Sequence, residues 1–227
     1  AAFIFEPLIQ GAAGFRIYRA ELLEKMVAKA KQHGVKCIAD EVMTGFYRTG
    51  TMFAIDQIET APDFVCLSKG VTGGVMASGL TVTTQEIFDA FVDDDIAKAL
   101  LHGHTFTANP VATAAACASL DLLEKEETLK SIQMIADGHL QFIERHRENK
   151  SLVQLKSVGT ILSMEIRVEG EGSYFSPVRQ RALDFFLSEG LFIRPLGNVI
   201  YINPPYCITK EQLELVYQKV EEFLGSL

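Results

Sequence analysis

The stretch AELLEKMVAKAKQHGVKCIADE, residues 20–41, decides the fold. Leu22, Leu23, Met26, Val27 and Ala30 recur at helical spacing, so 20–32 predicts an amphipathic helix. Glu21 and Lys25 support it as an i, i+4 pair. Gly34 suits the position just past a helix end, where the backbone turns left-handed. VKCIADE then reads as a short buried strand closing on two acids, Asp40 and Glu41. Upstream, residues 2–5 read as another strand. Strand, helix, strand is the grammar of a parallel sheet, because parallel neighbours need a crossover.

The pattern continues outward. PDFVCLSKGVTGG, residues 62–74, holds an apolar strand at 63–67, then Ser68, Lys69 and a glycine-rich run. SGLTVTT, 77–83, predicts a further strand. Thr83-x-x-Glu86 predicts a capping box opening a helix over 84–91. The alanine-rich run from 108 predicts a helix packed closely on other backbone. It reaches about 127 and continues, with breaks, to about Arg147. From 151 the texture changes to short strands and amphipathic helices. VQLKSVG and ILSMEIRV read as a strand pair. SPVRQRALDFFLSEG is a complete helix, with Ser176 as N-cap, Pro177 first and Gly190 past the end. LFIRP and VIYINPP read as strands. Thr209-x-x-Gln212 caps a last helix, with Leu213, Val216, Val220, Phe223 and Leu224 inward. The expected architecture is α/β. Residues 1–125 form part of a large domain, 126–150 a connecting helix and 151–227 a small α+β domain.

The 227 residues are 48% hydrophobic and 22% charged, enough to bury a sizeable core. The formal charge is −8 and no Lys/Arg block stands out, so nucleic acid is not an expected partner. No run approaches the roughly 18 apolar residues of a membrane span. No signal peptide opens the chain. The chain begins AAFIFEP, without Met and inside a strand, and so reads as a piece of a longer polypeptide. Cys37, Cys66, Cys117 and Cys207 form no C-x-x-C, and the first three lie in apolar or alanine-rich runs, as buried free thiols do. This usage implies a reducing cytoplasm without a disulfide framework or a cysteine zinc site.

Ligands of open parallel sheets sit at the carboxyl ends of the strands. Two strands end there in charge, at Asp40 and at Lys69. A lysine at the mouth of a core strand is expected to lie in a cleft, partly desolvated, which lowers its pKa toward the nucleophilic form. It also suits a strand-end lysine snorkelling to water. Pyridoxal 5'-phosphate (PLP) needs a lysine amine and a carboxylate beside its pyridine nitrogen. The same two residues also suit a structural ion pair. His102 and His104 form an H-x-H pair with no third metal ligand nearby, so no metal is expected.

IADEVMTGFYRTG, PDFVCLSKGVTGG and HGHTFTANPVATAAA, in this order, resemble the class III aminotransferases, PLP enzymes of fold type I. IFEPLIQGAAG is similar to that family's E-P-x-x-Q-G segment. The resemblance runs from residue 3 to the C-terminus and corresponds to about the second half of such an enzyme. The family's other half supplies a Gly-Ser phosphate loop and an aromatic ring stacked on the cofactor. The resemblance implies that Lys69 carries the cofactor and later shuttles the proton. It implies that Asp40 pairs with the pyridinium nitrogen and that Val42 packs on the ring face. Thr105 would contact the cofactor phosphate of the other subunit, which implies a homodimer. Glu6 would lie near the cofactor and help position its surroundings.

Two departures narrow the branch. Met43 replaces the glutamine of D-E-V-Q-T-G, and Ala12 stands where ornithine-type members carry a second glutamate. Both resemble the biotin-pathway branch, which aminates 8-amino-7-oxononanoate (KAPA), usually with S-adenosylmethionine as donor and in some relatives with lysine. VTGGVMASGLTVTT, HGHTF and FIRPLGNVIYINPPY resemble it too. There the arginine of I-R-P holds the keto substrate's carboxylate, a role that falls to Arg194; a structural ion pair with Glu165 is the alternative. The rival functions are another class III reaction, of ornithine, γ-aminobutyrate or pyruvate type, or a piece unable to bind PLP by itself.

Overall fold

The structure is a computed structural model and describes residues 1–168 and 175–227. In chain order the elements are β1 (Ala2–Phe5), β2 (Ile9–Gln10), β3 (Arg16–Ile17), α1 (Ala20–Gln32), β4 (Lys36–Asp40), β5 (Phe64–Leu67), β6 (Leu80–Thr83) and α2 (Gln85–Asp89). Then follow α3 (Pro110–Leu123), α4 (Glu126–His146), β7 (Leu152–Val158), β8 (Ile161–Ile166), α5 (Pro177–Ser188), β9 (Val199–Ile202) and α6 (Lys210–Gly225). The chain divides into two compact units. One holds Ala1–Leu8, Tyr18–Phe46 and Thr51–Lys125; the other holds Ile9–Ile17, Tyr47–Gly50 and Glu126–Leu227.

The first unit is built on a four-stranded sheet in the order β1-β4-β5-β6. β1 pairs with β4, and β4 with β5, in parallel, while β6 runs antiparallel to β5. α1 is the crossover that allows β1 and β4 to lie parallel. Its Leu23 and Val27 are buried, and Gly34 follows its end at φ +67. Asp63, buried at the foot of β5, ties the crossover to the sheet. Its carboxylate accepts the Cys37 N–H at 2.7 Å and an ion pair from Lys31 at 3.0 Å. These partners hold the Asp63 carboxyl below its usual range against the opposing effect of burial.

Several sequence expectations need correction here. The strand expected over 77–83 is confined to Leu80–Thr83. Thr83 makes no capping box, because it pairs with Phe64 in the sheet and its hydroxyl donates to the Asp63 carbonyl at 3.0 Å. α2 is shorter than 84–91 and starts after Thr84, with no side-chain cap. The alanine-rich helix begins at Pro110, capped by the Asn109 side chain, and breaks at Glu124–Lys125. Only Ala112, Ser119 and Leu123 of α3 are buried, which leaves Cys117 exposed rather than buried.

In the second unit, β7, β8 and β9 form an antiparallel sheet covered by α4, α5 and α6. Phe142, Met164, Phe186, Ile200, Tyr217 and Phe223 lie in one continuous apolar cluster. At α6 the Thr209–Gln212 capping box forms in both directions. Ser176 occupies the N-cap of α5 without a side-chain bond. LFIRP is not a strand. Pro195 lacks the N–H a ladder needs, and Leu196 closes a tight turn onto Val199 across Gly197, at φ +62. The two short insertions, 9–17 and 47–50, belong to this unit. Phe15 stacks on Tyr201 at 3.8 Å between ring centroids. Gly159 lies so close to Thr49 and Gly50 that a Cβ there would overlap their backbone.

Candidate active site

The parallel pairing of β1, β4 and β5 brings their carboxyl ends to one edge. Phe5 is paired with Ala39, and Asp40 with Cys66. Glu6 therefore follows β1 beside the end of β4, Asp40 closes β4, and Lys69 comes three residues after Cys66. One of the expected residues at this edge, Glu6, is half-buried, and its carbonyl accepts the Tyr18 hydroxyl. Burial pushes the Tyr18 phenol up to about 12, so it stays a donor.

Asp40 is half-buried, and its Oδ1 accepts the Val42 N–H at 3.1 Å. Its other oxygen takes no hydrogen bond among the described residues. The Lys69 side chain has no hydrogen bond or ion pair among them either, so the two are not a structural salt bridge. The expectation of a partly desolvated lysine is not met. Lys69 is exposed, as is the run Gly73–Ala77 after it. Its backbone is the unusual feature. Lys69 sits at φ +43, in the left-handed region, which costs a residue bearing a Cβ about 1–3 kcal/mol. Such strain persists only where surrounding structure enforces it.

Glu41 lies beside Asp40 and is fully buried. Its carboxylate accepts the Thr44 hydroxyl at 2.5 Å and the Ile55 N–H at 2.8 Å. Burial raises its pKa, against the effect of these bonds. Glu41 thus closes the loop between β4 and the turn at Ala54–Gln57. The loop carries Phe46 at φ +61, almost completely buried against Gly70. Sequence reasoning assigned no role to Phe46 or to Ser119, whose hydroxyl donates to the Gly70 carbonyl at 3.1 Å. Only the glycine after Lys69 hints at this close approach.

Thr105 is exposed in a turn closed by the Thr107 hydroxyl, which accepts the His104 N–H at 2.9 Å. Its own hydroxyl has no partner among the described residues. In the second unit, Arg194 lines a groove with Phe192, Ile193, Tyr201, Asn203 and Pro204. Arg194 is exposed and carries no ion pair among the described residues, so the alternative pairing with Glu165 is absent. Arg48, which the sequence reading passed over, is anchored instead. It donates to the Pro204 carbonyl at 2.7 Å and lies 4.4 Å over the Tyr206 ring.

The family model described as aminotransferase class-III matches residues 1–224. Adenosylmethionine-8-amino-7-oxononanoate aminotransferase of Synechococcus elongatus is 40% identical over 227 residues, covering 100% of this chain and 53% of that protein. The protein of the same name from Helicobacter pylori is 36% identical, covering 100% and 52%. The crystal structure of the Methanocaldococcus jannaschii protein of that name matches with a TM-score of 0.89 at 31% identity, covering 98% of this chain and 53% of that one. An amine transaminase from an uncultivated Pseudomonas species, in its PLP-bound form, matches with a TM-score of 0.88 at 30% identity, covering 100% and 52%. The chain spans about half the length of the curated relatives it matches. With a family match along nearly its whole length and a parallel β1-β4-β5 sheet, the chain belongs to the class-III aminotransferases, PLP-dependent enzymes of fold type I.

Proposed function

We propose that this chain supplies the lysine and the ring-nitrogen carboxylate of a PLP-dependent transaminase that aminates KAPA to 7,8-diaminononanoate in biotin biosynthesis. The amino donor is S-adenosylmethionine, and the protein acts in the cytoplasm as a homodimer. One observation carries the reading. Asp40 closes β4, and Lys69 follows the end of its parallel neighbour β5 by two residues; the side chain of each has binding capacity that no described residue uses. Those are the two groups PLP requires, so the residues present fit it. When bound, PLP supplies an electron sink for a carbanion.

The remaining work belongs to this chain. Lys69 holds the cofactor and, once released, moves a proton to and from the substrate carbon. Asp40 keeps the ring nitrogen protonated by its negative charge. Val42 restricts the ring face, Glu6 shapes the surroundings, and Thr105 contacts the phosphate of the neighbouring subunit. Arg194 takes the acceptor's carboxylate. An unpaired guanidinium offers two parallel hydrogen bonds to such a group, and the apolar walls of its groove suit an alkyl chain. The names of the sequence relatives support KAPA over other acceptors.

The test is a steady-state assay of the whole polypeptide with KAPA against ornithine, γ-aminobutyrate and pyruvate-type pairs. KAPA should dominate in kcat/KM. Arg194→Ala should raise KM for KAPA on the order of 10- to 100-fold, the worth of a charge-assisted pair of hydrogen bonds. Arg194→Lys should recover only part of it, because lysine cannot form the fork. Preference for another acceptor, or normal KAPA kinetics in Arg194→Ala, would reject the assignment.

A further inference from the structure

The backbone around Lys69 is held from three sides. Before it, the Ser68 hydroxyl donates to the Ser78 carbonyl at 2.6 Å. After it, the Gly70 carbonyl accepts both the Ser119 hydroxyl at 3.1 Å and the Gly73 N–H at 3.0 Å. Beneath it, the Phe46 ring lies so close that a Cβ on Gly70 would stand 2.7 Å from Cδ2. A side chain at position 70 would require the Phe46 ring to shift. Phe46 itself sits at φ +61, and its N–H is bonded to the Met52 carbonyl at 2.6 Å. Two strained residues, Phe46 and Lys69, thus meet across one glycine. Local strain is maintained where the surrounding structure over-determines it.

We propose that Phe46 and Ser119 are positioning residues for Lys69: ring and hydroxyl clamp the Gly70 peptide and so hold Lys69 left-handed at the end of β5. This rests on the reading of Lys69 as the PLP-bearing lysine. The clamp acts before any substrate arrives. It fixes the backbone from which a long side chain, unpartnered among the described residues, extends, so fewer conformers compete with the one that reaches the cofactor. Ser119 lies on α3, outside the site itself, and nothing in the β5 sequence announces it.

The experiment is reductive trapping of PLP by borohydride on the whole polypeptide, with peptide mapping and with the rate followed over a range of PLP concentrations. Mapping in the unsubstituted protein tests the underlying reading by itself. Label on a lysine other than Lys69 would overturn that reading, and the clamp's purpose with it. With label on Lys69, Ser119→Ala should lower the maximal trapping rate about 5-fold, the equivalent of one lost hydrogen bond. The PLP concentration giving half the maximal rate should not move. Amide exchange at residues 70–72 should quicken, while the thermal midpoint falls by a few degrees at most. Ser119→Thr, which keeps the hydroxyl, should restore the rate. Phe46→Leu should repeat the kinetic effect in folded protein. An unchanged maximal rate in folded Ser119→Ala, or an equal loss in Ser119→Thr, would overturn the proposal.

Discussion

Asp40 offers a way to separate geometry from charge at a single residue. Its Oδ1 accepts the Val42 N–H, and an amide oxygen at the same place can accept that bond too. Asp40→Asn therefore keeps the local fold and removes only the anion. Without it, the ring nitrogen of bound PLP has no counter-charge to hold its proton. PLP should still bind, and thermal stability should be unchanged. Formation of pyridoxamine phosphate in a single turnover should slow on the order of 10²-fold or more, the usual cost of losing a preorganised electrostatic contact. A stopped-flow trace matching the unsubstituted protein would remove Asp40 from the mechanism. The same residue shows what sequence conveys about a site. Asp40 and Lys69 stand out as candidates in the sequence because charge at the end of an apolar strand is rare. The exposure of Lys69 was not legible, because burial depends on what lies over the strand ends, and strand residues carry no record of it.

At the scale of elements, legibility followed the range of the deciding interaction. α1 is written locally, in its apolar stripe and in Gly34, and the structure gives it the limits 20–32. The Thr209 cap is equally local. Thr83 was misread because its hydroxyl answers to Asp63, 20 residues away across the sheet. LFIRP was misread because β-propensity says nothing of the turn that Gly197 closes. His139 on α4 is a tertiary feature of the same kind. Its Nε2 lies 3.0 Å from the Thr160 carbonyl, which can only accept, so Nε2 carries the proton. Nδ1 then accepts from the Tyr217 hydroxyl at 2.7 Å on α6. Burial pushes the His139 pKa down to about 4. An unfolded chain binds this proton near pH 6.5, so between those values the unfolded state holds more protons and stability rises with pH. The contribution is complete above about 6.5 and is lost toward 4, on the order of 3 kcal/mol. Urea unfolding at pH 7 and pH 5 should show about 2 kcal/mol of that loss in the parent protein. His139→Gln should be less stable at pH 7 and lose less between the two. Equal losses would show that other groups set the acid limit.

At the scale of the whole molecule, the question is what surrounds the first unit. Ile96, Leu100, Leu101 and Phe106 are each more than 60% exposed, and Thr105 lies among them. Large apolar side chains seldom stay open to water in such numbers unless a partner covers them. The homodimer proposed above, with Thr105 completing the neighbour's phosphate site, would account for both. The whole polypeptide should sediment as a dimer, and Thr105→Ala should weaken PLP binding on the order of 10-fold through the loss of one charge-assisted hydrogen bond. That loss alone does not tell which subunit Thr105 serves, but a mixed dimer does. One chain carries Lys69→Ala and the other Thr105→Ala, with different affinity tags so that the mixed species can be isolated. If Thr105 reaches across, both lesions fall in one site and the other site has an intact lysine and an intact threonine. The mixed dimer should then hold one PLP with parental affinity, trapped by borohydride on the chain bearing Thr105→Ala. If Thr105 serves its own subunit, each site keeps one lesion and no parental-affinity site appears. That second outcome would end the cross-subunit assignment, whatever the oligomeric state.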